Sequence, residues 1–384
     1  MASKIISVIG GLDADLIMIT GRIPEPGESV LANEYLEALG GKGANSAIAT
    51  YRTCHEKPSE KWKQSTEDVQ AEPAQVWPSP LAPQPGTNDD YKDNVQVKLI
   101  SAVGDDQYGY KFIGELKNSG VDISGMVTVP DTRTSICFVM VQQHTGENRC
   151  LFTQGATAAW KKGDFATPER LGGGERPDLI VAQMEIDKEV VEEMIETAGK
   201  ANIDFCLNAA PATPISEHVY KYITHLIVNE PEAAIMSGRQ RNEVNEGTWS
   251  IIAQEFLERG VQNVVITLGA KGAFYANSTE SGHCLAFDVD VVDCTGAGDV
   301  FTGTYAAAYL RQKVKGQWDI KSVVVRSNKA AAITIQAMGA QAGIPWGDEL
   351  DNFDALPKPH LLGWTVGQVY QYRQNQNWGL RIKD

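Results

Sequence analysis

The chain runs to 384 residues, 42% of them hydrophobic, which is enough for one large α/β domain or two smaller ones around a full core. A net charge of −15, without any run of Lys or Arg, argues against a nucleic-acid or anionic-membrane surface. The cysteines (Cys54, Cys137, Cys150, Cys206, Cys284 and Cys294) form no C-x-x-C pair, the first residues show no signal-peptide pattern, and no apolar stretch approaches the ~18 residues of a membrane span, so reduced thiols and a cytoplasmic or nuclear setting are expected.

Short apolar runs alternate with amphipathic stretches, which is the pattern of an α/β fold with a doubly wound, mostly parallel sheet and helices on both faces. The first buried strand is expected over residues 5–10, with Asp13 and Asp15 just past its carboxyl end. Residues 27–39 read instead as an exposed antiparallel strand, and Gly40-Gly41-Lys42-Gly43-Ala44-Asn45 opens a helix. Residues 54–94 carry Pro58, Pro73, Pro78, Pro80, Pro83 and Pro85 among acidic and polar side chains and read as a long surface insertion. A strand follows over 97–103, then an exposed antiparallel pair over 134–142 and 150–153, then buried strands over 179–186, 205–208, 226–229 and 264–268. Glu185, Asn208, Asn229, Thr267 and Gly269 fall at carboxyl ends, the edge where open parallel sheets bind ligands. One domain spanning 1–384 is expected, with the exposed strands at about 16–39 and 134–153 forming a small β-sheet lid. Residues 357–384, with Trp364, Tyr370, Tyr372 and Trp378, make a C-terminal extension without a clean helical period.

Between the last buried strand and that extension lies Asp293-Cys294-Thr295-Gly296-Ala297-Gly298-Asp299. Phe301, Tyr305, Ala308 and Tyr309 then recur at helical spacing, so Gly296, Ala297 and Gly298 lie at the mouth of a helix, whose unpaired N–H groups and dipole favour an anion. Asp299 in that position can take a proton from a substrate hydroxyl while the amides stabilise a transferring phosphoryl group. It can equally be the Asp N-cap of an ordinary helix after a glycine turn. The Gly40–Asn45 motif leaves a similar choice between ligand-facing amides and a structural turn. It is not a P-loop, because Lys42 sits between glycines with no hydroxyl after it.

Both glycine motifs, in this order, occur together with Pro24-x-Pro26-Gly27-Glu28, Gly104-Asp105-Asp106, Asn208-Ala209-Ala210-Pro211, Asn229-Glu230-Pro231-Glu232-Ala233, Thr267-Leu268-Gly269, Gly339-Ala340-Gln341 and Pro345-Trp346. This combination resembles the ribokinase-like (PfkB) carbohydrate kinase family, from about residue 4 to 354 outside the insertion. The resemblance implies ATP-dependent phosphorylation of D-ribose at O5, with Asp299 as the base and Gly296, Ala297 and Gly298 as the anion hole. By the same resemblance Asp13, Asp15, Gly41, Lys42, Gly43, Ala44, Asn45 and Glu185 would meet the sugar. Thr267, Gly269, Gly272, Gly298 and Asn328 would line the nucleotide pocket, and Asn229 and Glu232 would hold Mg²⁺ through water near the phosphates.

A K⁺ ion is also implied, held by the Asp293 carboxylate and by carbonyls of Thr295, Thr334, Ala337 and Gly339, as is a homodimer contact through the lid. The chain departs from the family where Asp13 replaces the usual Asn, where Ser46 replaces a frequent Gln, where Cys294 replaces a typical Thr, and where Gly343 replaces a cation-binding Ser. The alternatives are a kinase of the same family for another sugar or a nucleoside, and a catalytically silent sugar-binding or scaffold protein.

Overall fold

The computed structural model describes residues 3–58, 95–143 and 148–353. The expected insertion lies outside the described residues from 59 to 94, and so does the whole expected C-terminal extension. In chain order the strands are β1 Lys4–Ile9, β2 Asp13–Thr20, β3 Glu34–Gly40, β4 Val95–Ile100, β5 Ala102–Gly104, β6 Val127–Val129, β7 Ser135–Gln142, β8 Asn148–Phe152, β9 Leu179–Gln183, β10 Asp204–Asn208, β11 His225–Asn229, β12 Asn263–Thr267, β13 Ala273–Asn277 and β14 Ser281–Cys284. The α-helices are α1 Lys42–Cys54, α2 Gln107–Asn118, α3 Lys188–Lys200, α4 Glu230–Ser237, α5 Trp249–Glu258, α6 Ala297–Val314, α7 Ile320–Thr334 and α8 Gly347–Asp351.

The main sheet has eight strands in the order β14-β13-β12-β11-β10-β9-β1-β4. The strands expected to be buried lie in its parallel part, from β12 to β4, except that the one expected over 97–103 breaks after Ile100 and its end forms β5, paired with β6 in a separate two-stranded sheet. Apolar side chains on these strands alternate between two cores, as the two-residue period of a strand requires. Leu179 and Val181 pack with α1, α6 and α7 on one face, while Ile180 and Ala182 pack with α3, α4 and α5 on the other. The chain leaves β1 toward β4 on one side and returns to β9 on the other, so the sheet reverses its winding direction beside β1. Ligands of open α/β sheets bind in the crevice at such a point. The antiparallel β13–β14 hairpin at the sheet edge was not foreseen, because Ser281-Gly282-His283-Cys284 has no apolar alternation.

A second sheet runs β3-β2-β7-β8. The expectation of purely antiparallel strands is corrected here. β2 pairs antiparallel with β3, and β7 with β8, but β2 and β7 run parallel. The strand expected over 27–39 begins only at Glu34, and Asp13 and Asp15 belong to β2 instead of a loop. The register sets Asp13 opposite Ser135 and Asp15 opposite Cys137, so these four residues share one face. Among the described residues no helix is long and apolar enough to cross a membrane.

Candidate active site

Helices α2, α3, α4 and α7 are each capped by an Asp or Asn side chain, whereas α1 and α6 begin at Gly41 and Gly296 with no side-chain cap. Those two open N-termini meet. Gly303 of α6 lies against the α1 backbone, where a Cβ would come within 2.6 Å of the Ser46 carbonyl oxygen, so the helices approach closely. Gly41 (φ 87°) and Gly43 press the turn before α1 onto Gly10, Gly11 and Leu12 just past β1, again with no room for a Cβ. The turn at Gly40–Gly43 therefore has a structural reason for its glycines.

Close packing of α1 on α6 brings Asn45 to Asp299. The Asn45 Nδ2 donates to Asp299 Oδ2 at 2.9 Å, and Lys42 Nζ stands 4.0 Å from Oδ1. Asp299 is only 6% exposed. Its carboxylate is not spent on capping α6, which removes the ordinary-cap alternative. The Gln341 Nε2 donates to Asn45 Oδ1 at 3.0 Å and to the Leu39 carbonyl at 2.9 Å, which fixes the Asn45 amide with its NH₂ toward Asp299. Arg52 in turn donates to the Gln341 carbonyl at 3.0 Å. The sequence had singled out Gln341 only as part of a motif; its role depends on partners 289 to 302 positions earlier in the chain.

Glu185, just beyond β9, accepts the Lys42 backbone N–H at 3.1 Å. Gln183, another residue the sequence reading missed, donates to Ser46 at 3.2 Å and leaves its buried Oε1 without a partner. Asp13 accepts from the Ser135 hydroxyl. Burial pushes the carboxyl groups of Asp13, Glu185 and Glu232 above the usual range, and that of Asp15 up to about 7. Lys42 is the cation among them, and Asp299 foremost holds its ammonium well above the ordinary lysine range. A cluster rich in acceptors around one ammonium suits a neutral polyol, whose hydroxyls can donate to the carboxyl oxygens that no protein group occupies. A separate surface depression of about 660 Å³ lies along α3 and is lined by Lys162, Glu192, Glu196 and His218, with none of these site residues.

Among the expected anion-hole amides, Ala297 N–H bonds to the Cys294 carbonyl at 3.3 Å, while the side of Gly298 where a Cβ would project is open. Asn229 and Glu232 form a reciprocal capping box on α4. Asn229 N–H donates to Glu232 Oε2 and Glu232 N–H to Asn229 Oδ1, each at 2.8 Å. Thr267 ends β12 and donates weakly to the Val228 carbonyl at 3.4 Å. Gly269 opens the single turn after it, and Gly272 closes that turn against Cys284. Asn328 of α7 donates to the carbonyls of Cys284 and Leu285 at 3.3 Å, so Gly272 and Asn328 meet at one wall.

The segments named for a monovalent cation converge as well. Asp293 accepts from Thr295 N–H at 2.9 Å, Thr295 Oγ1 at 2.7 Å and Gly339 N–H at 2.8 Å. Burial raises its carboxyl, but these donors outweigh burial and hold it below the usual range. The Thr334 carbonyl accepts from Ala337 N–H at 3.2 Å. Among the described residues no cluster of three or more His, Cys, Asp or Glu could hold a metal ion by itself. Gly343 is explained by packing, since a Cβ there would lie 2.3 Å from the Thr334 carbonyl oxygen. Gly343→Ser is therefore expected to destabilise the fold by about 1–3 kcal/mol instead of simply restoring an oxygen ligand. Thermal unfolding checks this, and an unchanged Tm with stronger K⁺ activation would contradict it.

The profile of the pfkB family carbohydrate kinases matches residues 93–347. A ribokinase of Schizosaccharomyces pombe is 30% identical over 361 residues, covering 92% of this chain and 98% of that one. A deoxyribokinase of Salmonella typhi is 26% identical, covering 91% and 99%. Among solved structures, a ribokinase from Thermotoga maritima matches with a TM-score of 0.67 at 28% identity, covering 91% of this chain and 98% of that one. An Arabidopsis thaliana ribokinase, solved with ribose and ATP, shares the fold with a TM-score of 0.71 at 22% identity, covering 92% and 100%. A doubly wound sheet, two uncapped helix mouths joined through Asn45 and Asp299, and these matches have one common account: the chain belongs to the pfkB family of carbohydrate kinases.

Proposed function

We propose that the protein transfers the γ-phosphoryl group of ATP to the 5-hydroxyl of D-ribose, with Asp299 as the base. The observation that carries this reading is the Asn45–Asp299 hydrogen bond, which unites the sugar-side turn and the phosphate-side helix mouth in one site. Asp299 Oδ2 is occupied by Asn45, so Oδ1, toward Lys42, is free to accept the hydroxyl proton. As the proton moves to Asp299, the new O5–P bond forms and the bond to the ADP oxygen breaks. The positive end of α6, with Gly296 and Gly298, faces the charge on the transferring group. Lys42 supplies positive charge on the sugar side, and the Glu185 contact to its backbone keeps the turn closed.

Thr267, Gly269, Gly272 and Asn328 line the nucleotide side in this reading. Glu232 and Asn229 suit Mg²⁺ held through water, because an ion bound mostly by phosphates needs few protein oxygens. Mg²⁺ would neutralise phosphate charge there. Asp293, with the Thr295, Thr334, Ala337 and Gly339 carbonyls, is the proposed K⁺ site, and pairing of lid sheets is the proposed route to a homodimer. A reducing, cytoplasmic setting fits the free thiols.

Asp13 fits the usual Asn position because burial favours its protonated form, and a neutral carboxyl can donate as an amide does. The Ser135 hydroxyl touches both Asp13 and the Thr153 carbonyl but has one proton to give, which leaves room for Asp13 to act as donor. A second reading, 2-deoxy-D-ribose as acceptor, is favoured by the deoxyribokinase match over 91% of the chain.

ADP release with ATP, Mg²⁺ and K⁺ should be measured across D-ribose, 2-deoxy-D-ribose, D-fructose and adenosine. D-ribose is expected to give the highest kcat/KM, with ribose 5-phosphate as product; turnover with another acceptor alone, or with none, would sink the ribose assignment. For Asp13→Asn, the D-ribose KM relative to wild type is expected to improve as pH rises, because ionisation costs the wild-type acid its donor while the amide keeps one. A KM ratio independent of pH would count against Asp13 as a donor.

A further inference from the structure

The sheet register carries two cysteines onto the face that holds Asp13 and Asp15. Cys137 on β7 lies opposite Asp15 of β2 and opposite Phe152 of β8, while Cys150 on β8 lies opposite Val139. Cys137 and Cys150 are thus diagonal neighbours on one face of an antiparallel pair. The two thiols influence each other's titration, Cys137 being raised and Cys150 lowered. Cys137 is partly buried, Cys150 is exposed, and both are free.

We propose that Cys150 is a thiol–disulfide exchange site at the edge of the sugar pocket, with Cys137 as its resolving thiol, and that low-molecular-weight disulfides switch sugar binding off through it. The pairing supplies both a donor to stabilise a thiolate and a second sulfur to complete the exchange. Its neighbour Cys137, aided by Lys42, holds the Cys150 thiol below the usual range. The Cys150 thiolate attacks one sulfur of the disulfide reagent. A new S–S bond forms, the reagent's bond breaks, and the departing thiolate takes up the proton that Cys150 lost. Cys137 then attacks the Cys150 sulfur and passes its proton to the second departing thiolate. Two protein thiols are oxidised and one disulfide is reduced to two thiols. A bulky adduct on Cys150, or a bond tying β7 to β8, would sit beside Asp15, whose carboxyl already feels Cys150.

This inference rests on the reading of the Asp13–Asp15 face as the acceptor pocket, and thiol mapping tests it without turnover. The full chain is treated with glutathione disulfide, its thiols are mapped by mass spectrometry, and ADP release with D-ribose is followed. The expected course is a mixed disulfide at Cys150, formed about threefold faster than on an ordinary exposed thiol at neutral pH. A linked Cys137–Cys150 peptide follows, with loss of sugar turnover that dithiothreitol reverses and D-ribose slows. Cys137→Ser should stop at the mixed disulfide, and Cys150→Ser should keep its own starting activity in the reagent. Cys150 remaining a free thiol would overturn the proposal. So would equal inactivation of Cys150→Ser, which would move the reactive thiol elsewhere, with exposed Cys294 the first candidate. Turnover of the untreated protein tests the acceptor-pocket reading separately.

Discussion

Asp299→Asn is expected to lower kcat with D-ribose by about 10²- to 10⁴-fold, the range for loss of a positioned general base. That corresponds to about 3–5 kcal/mol of transition-state stabilisation. The substitution keeps the shape of the side chain. The new amide oxygen can still accept from Asn45 Nδ2, so the junction between α1 and α6 stays closed. Its NH₂ then points where Oδ1 had faced Lys42, placing a donor beside an ammonium 4.0 Å from the lost oxygen. A modest rise in sugar KM, within about fivefold, is the expected side effect. The fold should lose little, because the side chain keeps its shape and the Lys42 ammonium, with its side chain 34% exposed, can be solvated once its partner is neutral. Single-turnover phosphoryl transfer separates the two effects. A fall in kcat below tenfold would assign the proton transfer to another group, and a large loss of Tm would mean that Asp299 serves the fold.

Much of this geometry was legible in the chain, and the limits of legibility have physical causes. The buried strands declared themselves because both faces of the sheet are covered, so β1, β9 and β12 read as nearly unbroken apolar runs. The helix after Val300 declared itself through Phe301, Tyr305, Ala308 and Tyr309, all buried in the structure. What Asp299 does there could not be settled from spacing, since the deciding contact is with a residue 254 positions away. The start of β2 stayed hidden for a related reason. Asp13-Ala14-Asp15-Leu16 looks like a polar strand exit, and its acids lie on a sheet face only because Lys42 and Ser135 converge on them. Gln341 shows the same limit, as its two hydrogen bonds join a strand end to a helix start. Gly343 suggested a missing oxygen from sequence, whereas its structural reason is contact with the Thr334 backbone.

Asp15→Asn is expected to stabilise the protein at alkaline pH while damaging sugar binding. Burial is the main cause that lifts the Asp15 carboxyl in the folded chain from an ordinary 3.8 to about 7, and the neighbouring Asp13 adds to it. The folded state therefore holds a proton that the unfolded chain releases between about pH 4 and pH 7, so stability falls as pH rises through that window. A shift of this size corresponds to about 4 kcal/mol at full weight, and partial solvent access to Asp15 reduces it to about 1–3 kcal/mol. At pH 8 the variant should exceed wild type by that amount. Near pH 4 the wild-type carboxyl is protonated in the folded state, and the difference should vanish. Asp13 and Glu185 are raised in the same direction and remain, so the variant flattens only part of the pH dependence. Sugar hydroxyls that donate to Asp15 favour its ionised form, so D-ribose binding to wild type near pH 6.5 should release a proton. Calorimetry in buffers of different ionisation enthalpy measures that release, and Asp15→Asn should abolish its share while raising KM about tenfold or more. A variant stabilised at pH 8 with undiminished sugar affinity would mean that the acid is only strain. Both effects together would mean that the empty site is held in an unfavourable charge state which the sugar relieves on binding.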